Sequence, residues 1–66
     1  LDRAAIPALA RALEEDPHPM VRGHAAWALA RIGGNEAVRH LHGRMAKEQD
    51  KSVREELSAA LARYRA

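Results

Sequence analysis

Residues Val21 to Gly34 read Val-Arg-Gly-His-Ala-Ala-Trp-Ala-Leu-Ala-Arg-Ile-Gly-Gly, and the rest of the chain is organised around them. At about 100° per residue on a helix, Val21, Ala25, Ala28, Leu29 and Ile32 share one apolar face. Met20, Gly23, Ala26, Trp27 and Ala30 leave the opposite side almost uncharged as well. A helix apolar all round needs neighbours on several sides, so this one belongs in the middle of a stack.

Outward from it, the punctuation predicts three more helices. Pro7 stands near the start of a first helix whose stripe is Ile6, Leu9, Ala10 and Leu13. Asp16-Pro17-His18-Pro19 ends that helix, because a residue before proline is pushed out of the α region, and Pro19 suits the first turn of the next. Gly33-Gly34 closes the second helix. Asn35 is the expected N-cap of a third, with Val38, Leu41 and Met45 as its stripe and Gly43 as its weak point. A polar turn from Lys47 to Asp50 leads to a fourth helix, capped by Asp50 and carrying Val53, Leu57, Ala60, Leu61 and Tyr64. No segment alternates with period two for long enough to form a strand.

The two halves are one unit repeated. A shift of 32 residues, without gaps, pairs Ala5 with Ala37, Ile6 with Val38, Leu9 with Leu41, Leu13 with Met45, Val21 with Val53, Arg22 with Arg54 and Leu29 with Leu61. Ala28-Leu29-Ala30-Arg31 returns as Ala60-Leu61-Ala62-Arg63. Such a period, with two helices per unit, predicts an all-α fold of four helices in two antiparallel hairpins, a short α-solenoid. Repeat one spans about 2–34 and repeat two about 35–66.

Length and composition set the outer bounds. A chain of 66 residues buries only about 60% of the surface its unfolded form exposes, so its stability is marginal. There is no cysteine, hence no disulfide and no thiolate metal site. No apolar run is long enough to cross a bilayer. Eleven Lys and Arg against nine Asp and Glu give a net charge of +2, which permits nucleic-acid contact without announcing it. One Trp and one Tyr are too few for a base-stacking platform. The start at Leu1, with no initiator methionine, is expected of a piece of a longer protein.

The Asp-Pro-x-Pro-x-Val-Arg lead into an Ala-rich helix ending Ala-Leu-x-x-Ile-Gly resembles the short HEAT-like repeats named after phycobilisome lyases. More narrowly, Leu13 to Leu29, with Val-Arg-Gly-His-Ala-Ala-Trp-Ala-Leu at its centre, resembles the C-terminal repeat of the tRNA epoxyqueuosine reductases. That resemblance implies a cytoplasmic parent enzyme with iron–sulfur clusters and cobalamin, an N-terminal catalytic domain outside this chain, and a helical module that helps hold tRNA. It implies no reacting group and no cofactor within these residues. The alternative is a generic HEAT-like protein–protein scaffold. HEAT-like repeats also build a di-iron hydroxylase from recurring His-Glu pairs, but Gly23-His24 and Glu55-Glu56 stand at the matching places here.

Candidate contacts follow from charge and shape. Arg22 and Arg54 sit at equivalent places beside acidic turns, so they read either as a ladder of Arg-to-carboxylate or Arg-to-carbonyl contacts within the stack or as phosphate ligands. Arg31 and Arg63 lie about 180° away on their helix wheels. With His24 beside Arg31, these make Arg22, His24, Arg31, Arg54 and Arg63 the candidate nucleic-acid contacts. Met20 and Trp27 are the candidates for docking a partner domain, against the plainer reading that they pack within the chain. The four histidines lack ligand spacing for a metal. On the wheel, α-helix two carries Gly23, Ala26, Ala30 and Trp27 away from its core stripe where helix four carries Glu55, Ser58, Ala59 and Ala62. The second hairpin therefore reads as a polar cap, and the first as the side joined to further protein.

Overall fold

The computed structural model describes residues 2–64. Among them the chain forms a 3-10 turn at Arg3–Ala5 and four helices, α1 Ile6–Glu15, α2 Pro19–Ile32, α3 Gly34–Met45 and α4 Lys51–Ala62, with no strand. Asp2 caps the opening turn through a bond from the Ala4 N–H at 3.0 Å. Pro7 lies in the first turn of α1, where the missing donor has no partner to lose. Asp16, ahead of Pro17, is extended at φ −70° and ψ 130° and ends that helix.

The caps divide into good and absent ones. Asp50 accepts from the Val53 N–H at 3.1 Å and from the Ser52 hydroxyl at 2.6 Å. Its counterpart His18 makes no side-chain cap bond; Asp16 instead accepts from the His18 N–H at 2.9 Å. Asn35 is not the cap of α3. Gly33 ends α2 and begins α3 at once, with φ 75°, and Gly34 follows at φ 88°. Two left-handed glycines in sequence turn the chain within one residue, so α3 starts before Asn35 is reached.

Helix α2 lies at the centre, packed on α1, α3 and α4, with its most extensive contacts to α1 and α4. One side contributes Ala25, Ala28 and Leu29 to the core, and the other contributes Gly23, Ala26 and Ala30. Leu13, Leu29, Leu41 and Leu57 are fully buried and hold the two hairpins on one core. Small residues let α4 approach closely: a Cβ on Gly23 would stand 3.6 Å from the Glu56 Cγ. The Tyr64 hydroxyl, just beyond α4, donates to the carbonyl oxygen of Ala30 and ties the two helix ends together. Gly23, Ala26 and Ala30 are thus the seam between the hairpins, which corrects the wheel reading of them as a face awaiting other protein. The polar character expected of hairpin two is present, since Glu55, Ser58 and Ala62 are exposed.

Candidate nucleic-acid interface

The repeated arginines, Arg22 and Arg54, both bond backbone carbonyls within the stack, Arg22 from a mostly covered position and Arg54 from an exposed one. Arg22 Nη1 donates to the carbonyl oxygen of Asp16 at 2.8 Å, and Arg54 Nη1 donates to that of Glu48 at 3.0 Å. Each bond spans the same six residues, so it is a property of the repeat. Arg22 also crosses between hairpins, placing Nε 2.9 Å from Glu48 Oε1 and Nη2 3.0 Å from Oε2. The carboxylate accepts further from Arg44 Nε at 2.8 Å and from the Asp50 N–H at 3.0 Å. With side-chain exposures of 12% for Arg22 and 1% for Glu48, this is an internal joint. The ladder reading describes both arginines, and Arg54 bonds the Met45 carbonyl as well, at 3.1 Å.

Burial by itself would raise the pKa of the Glu48 carboxyl, but the hydrogen bonds from Arg22, Arg44 and the Asp50 amide prevail and hold it at about 2, against an ordinary 4.5. A carboxylate depressed on folding adds stability above its ordinary value and loses it as pH falls toward the folded one. Stability measured by urea unfolding is therefore expected to hold from neutrality to about pH 5 and then to drop by about 3 kcal/mol. The drop lies between pH 4.5 and about 2. A Glu48→Gln chain should lack most of this fall.

The other three candidates, His24, Arg31 and Arg63, lie along α2 and α4. The Arg31 guanidinium lies over the Trp27 ring, 5.2 Å from its centroid, and the ring is 52% exposed. Arg63 lines a small cleft with Trp27, Ala59 and Glu56, and His24 lines a groove of about 550 Å³ between the starts of α2 and α4. Among the described residues neither Arg31 nor Arg63 pairs with a carboxylate. Met20, 73% exposed, stands at one end of that groove. The structure thus brings together His24, Trp27, Arg31 and Arg63, and places Arg22 and Arg54 elsewhere. It also sets Glu56 in the middle of the strip, beside Trp27, His24 and Arg63 in three adjoining clefts.

No thiolate is available to hold an iron–sulfur cluster, since the sequence has no cysteine. No three His, Asp or Glu side chains converge for a metal among the described residues. The donor set in this chain does not fit such a group. Among the described residues no helix is long and apolar enough to cross a membrane.

Comparison with known proteins places these features in context. A profile of HEAT repeats matches residues 1–62. An epoxyqueuosine reductase of Listeria monocytogenes is 43% identical over 58 residues, covering 88% of this chain and 15% of that enzyme. The epoxyqueuosine reductase of Bacillus subtilis is 33% identical over 60 residues, covering 91% and 16%. An uncharacterized protein encoded in the gldA 3′ region of Geobacillus stearothermophilus is 43% identical over 56 residues, covering 85% and 26%. The chain spans about a quarter or less of the length of these relatives. No solved structure matches it significantly.

Proposed function

This chain belongs to the HEAT-repeat family, and on that premise we propose that it serves as the C-terminal helical-repeat module of a cytoplasmic tRNA epoxyqueuosine reductase, contributing contacts to tRNA and no reacting group. The iron–sulfur clusters and cobalamin of such an enzyme would be held by its N-terminal catalytic domain, outside these residues. The observation that carries the RNA reading is the exposed Trp27 ring with Arg31 over it and Arg63 close by. A cation beside an aromatic face suits both a phosphate and an unpaired base, and stacking on one aromatic is sequence-tolerant. His24 lies within the same strip. Glu56 opposes the reading, and its removal is therefore informative.

Trp27 is the only tryptophan, so its fluorescence reports on this surface alone. Titration with a queuosine-family tRNA transcript is expected to quench it at low salt. Two phosphate contacts make binding weaken about tenfold between 50 and 200 mM salt, and Arg31→Ala or Arg63→Ala should each reduce the log–log slope by about one. Glu56→Gln should tighten binding. Absence of quenching at low salt, with the chain folded, would remove the RNA reading and leave a protein-contact scaffold.

A further inference from the structure

The repeat register allows each half of the molecule to be read as the template for what the other lacks. Leu41, Val53, Leu57 and Ala60 of hairpin two are buried. Their counterparts one register earlier are Leu9, Val21, Ala25 and Ala28. These line an open groove of about 640 Å³ along α1 and α2, bordered on its far side by His24, Trp27 and Glu56 of the strip described above; in it Val21 is 39% exposed and Leu9 only half-buried. Hairpin one covers the first set; of the second, Ala25 and Ala28 are buried within the described residues, whereas Val21 is exposed and Leu9 only partly covered.

The polar joint obeys the same register. Arg22 of hairpin one reaches forward to Glu48 of hairpin two. The counterpart of Glu48 is Asp16, whose side chain is 30% exposed and whose partner among the described residues is its neighbour His18. An arginine standing 32 residues ahead of Arg22 in register would meet Asp16 as Arg22 meets Glu48.

We infer that the α1–α2 groove and Asp16 together are the docking face for a further helical hairpin of the same repeat. That hairpin presents small apolar residues at the Gly23, Ala26 and Ala30 positions and an arginine at the Arg22 position. A second copy of this chain is a poor occupant, because the face it would offer in the same geometry carries Glu55, Ser58 and His42 in place of Gly23, Ala26 and Ala10. All three of those substitutes are exposed. A carboxylate and an imidazole would be carried against Val21 and Leu9 without partners.

The test extends the chain by one copy of residues 3–34 inserted ahead of Arg3, which preserves both the 32-residue register and the Gly33-Gly34 turn at the junction. The three-hairpin chain is expected to melt roughly 10 °C or more above the two-hairpin chain, since each added repeat contributes an interface. Val21→Glu at the original position puts a carboxylate in the first turn of α2, where the helix dipole tolerates it, and should shift the two-hairpin Tm by no more than about 2 °C. In the three-hairpin chain the same change should abolish most of the gain, and Asp16→Asn should remove a smaller share. A three-hairpin chain that melts no higher overturns the inference, as does a gain that survives both substitutions. Sedimentation showing that the original chain dimerises, with Val21→Glu dissolving the dimer, would overturn it in favour of a second copy.

Discussion

Replacing Glu48 with alanine is expected to leave the chain largely unfolded at room temperature. The carboxylate is almost inaccessible, and it neutralises two guanidinium groups that are themselves mostly covered, Arg22 at 12% and Arg44 at 16% side-chain exposure. Removing one partner of a buried pair costs about 3–5 kcal/mol, chiefly because the charges left behind are desolvated and unmatched. A domain of this size has only about 3–10 kcal/mol to lose. The amide of Asp50, immediately ahead of α4, loses its acceptor in the same step. Urea unfolding followed by far-UV circular dichroism measures the loss. Adding Arg22→Met to Glu48→Ala should cost far less than Arg22→Met alone, because the partner that made Arg22 affordable is already gone. A loss under about 1 kcal/mol for Glu48→Ala would show that water reaches the site and that the bridge behaves as a surface pair.

Sequence reasoning reached the architecture because the fold is a repeat, and a repeat states each structural requirement twice. Leu9 with Leu41 and Val21 with Val53 are agreements between positions that do the same job, which a single amphipathic stripe cannot supply. Proline and aspartate punctuation then set the boundaries of α1, α2 and α4. Asn35 has the residue type of a cap but does not act as one, because the start of α3 is decided by the backbone conformation of the tight turn at Gly33 and Gly34.

The site was legible in part, and the reason lies in which helix faces meet. A helical wheel sorts residues by direction and is blind to what stands in that direction. It puts Gly23, Ala26 and Ala30 on a different face from Ala25 and Leu29, yet α4 occupies the space they face and Ala26 and Ala30 are buried in the same core. The acidic turns at Asp16 and at Glu48 and Asp50 are visible in the sequence beside Arg22 and Arg54, but that Arg22 reaches forward to Glu48 of the next hairpin needs the packing of one hairpin on the other. The separation of Arg31 and Arg63 from Arg22 and Arg54 was visible as half a turn of the wheel. The stacking of Arg31 on Trp27 needed coordinates, because four residues along a helix allow contact without requiring it.

A second large effect follows from the seam. Ala26→Glu should abolish folding at neutral pH, whereas Ser58→Glu, the same change one register later, should alter stability by no more than about 0.5 kcal/mol. Ala26 has no exposed surface and is covered by α4, so a carboxylate there must lose its water with no cation beside it, a cost of several kcal/mol. Ser58 is exposed, and its only electrostatic objection is Glu55 one turn earlier, worth a few tenths of a kcal/mol. Acid should partly restore the Ala26→Glu chain, because a protonated carboxyl is far less costly to bury. That recovery opposes the trend expected from Glu48, so the two effects can be told apart in one pH series read by circular dichroism. Equal losses at both positions would mean that the outer side of α4 is as tightly covered as the seam, and hairpin two would then be an interior repeat. Unequal losses make it the polar end of the stack and leave the groove at Leu9 and Val21 as the side on which the solenoid grows.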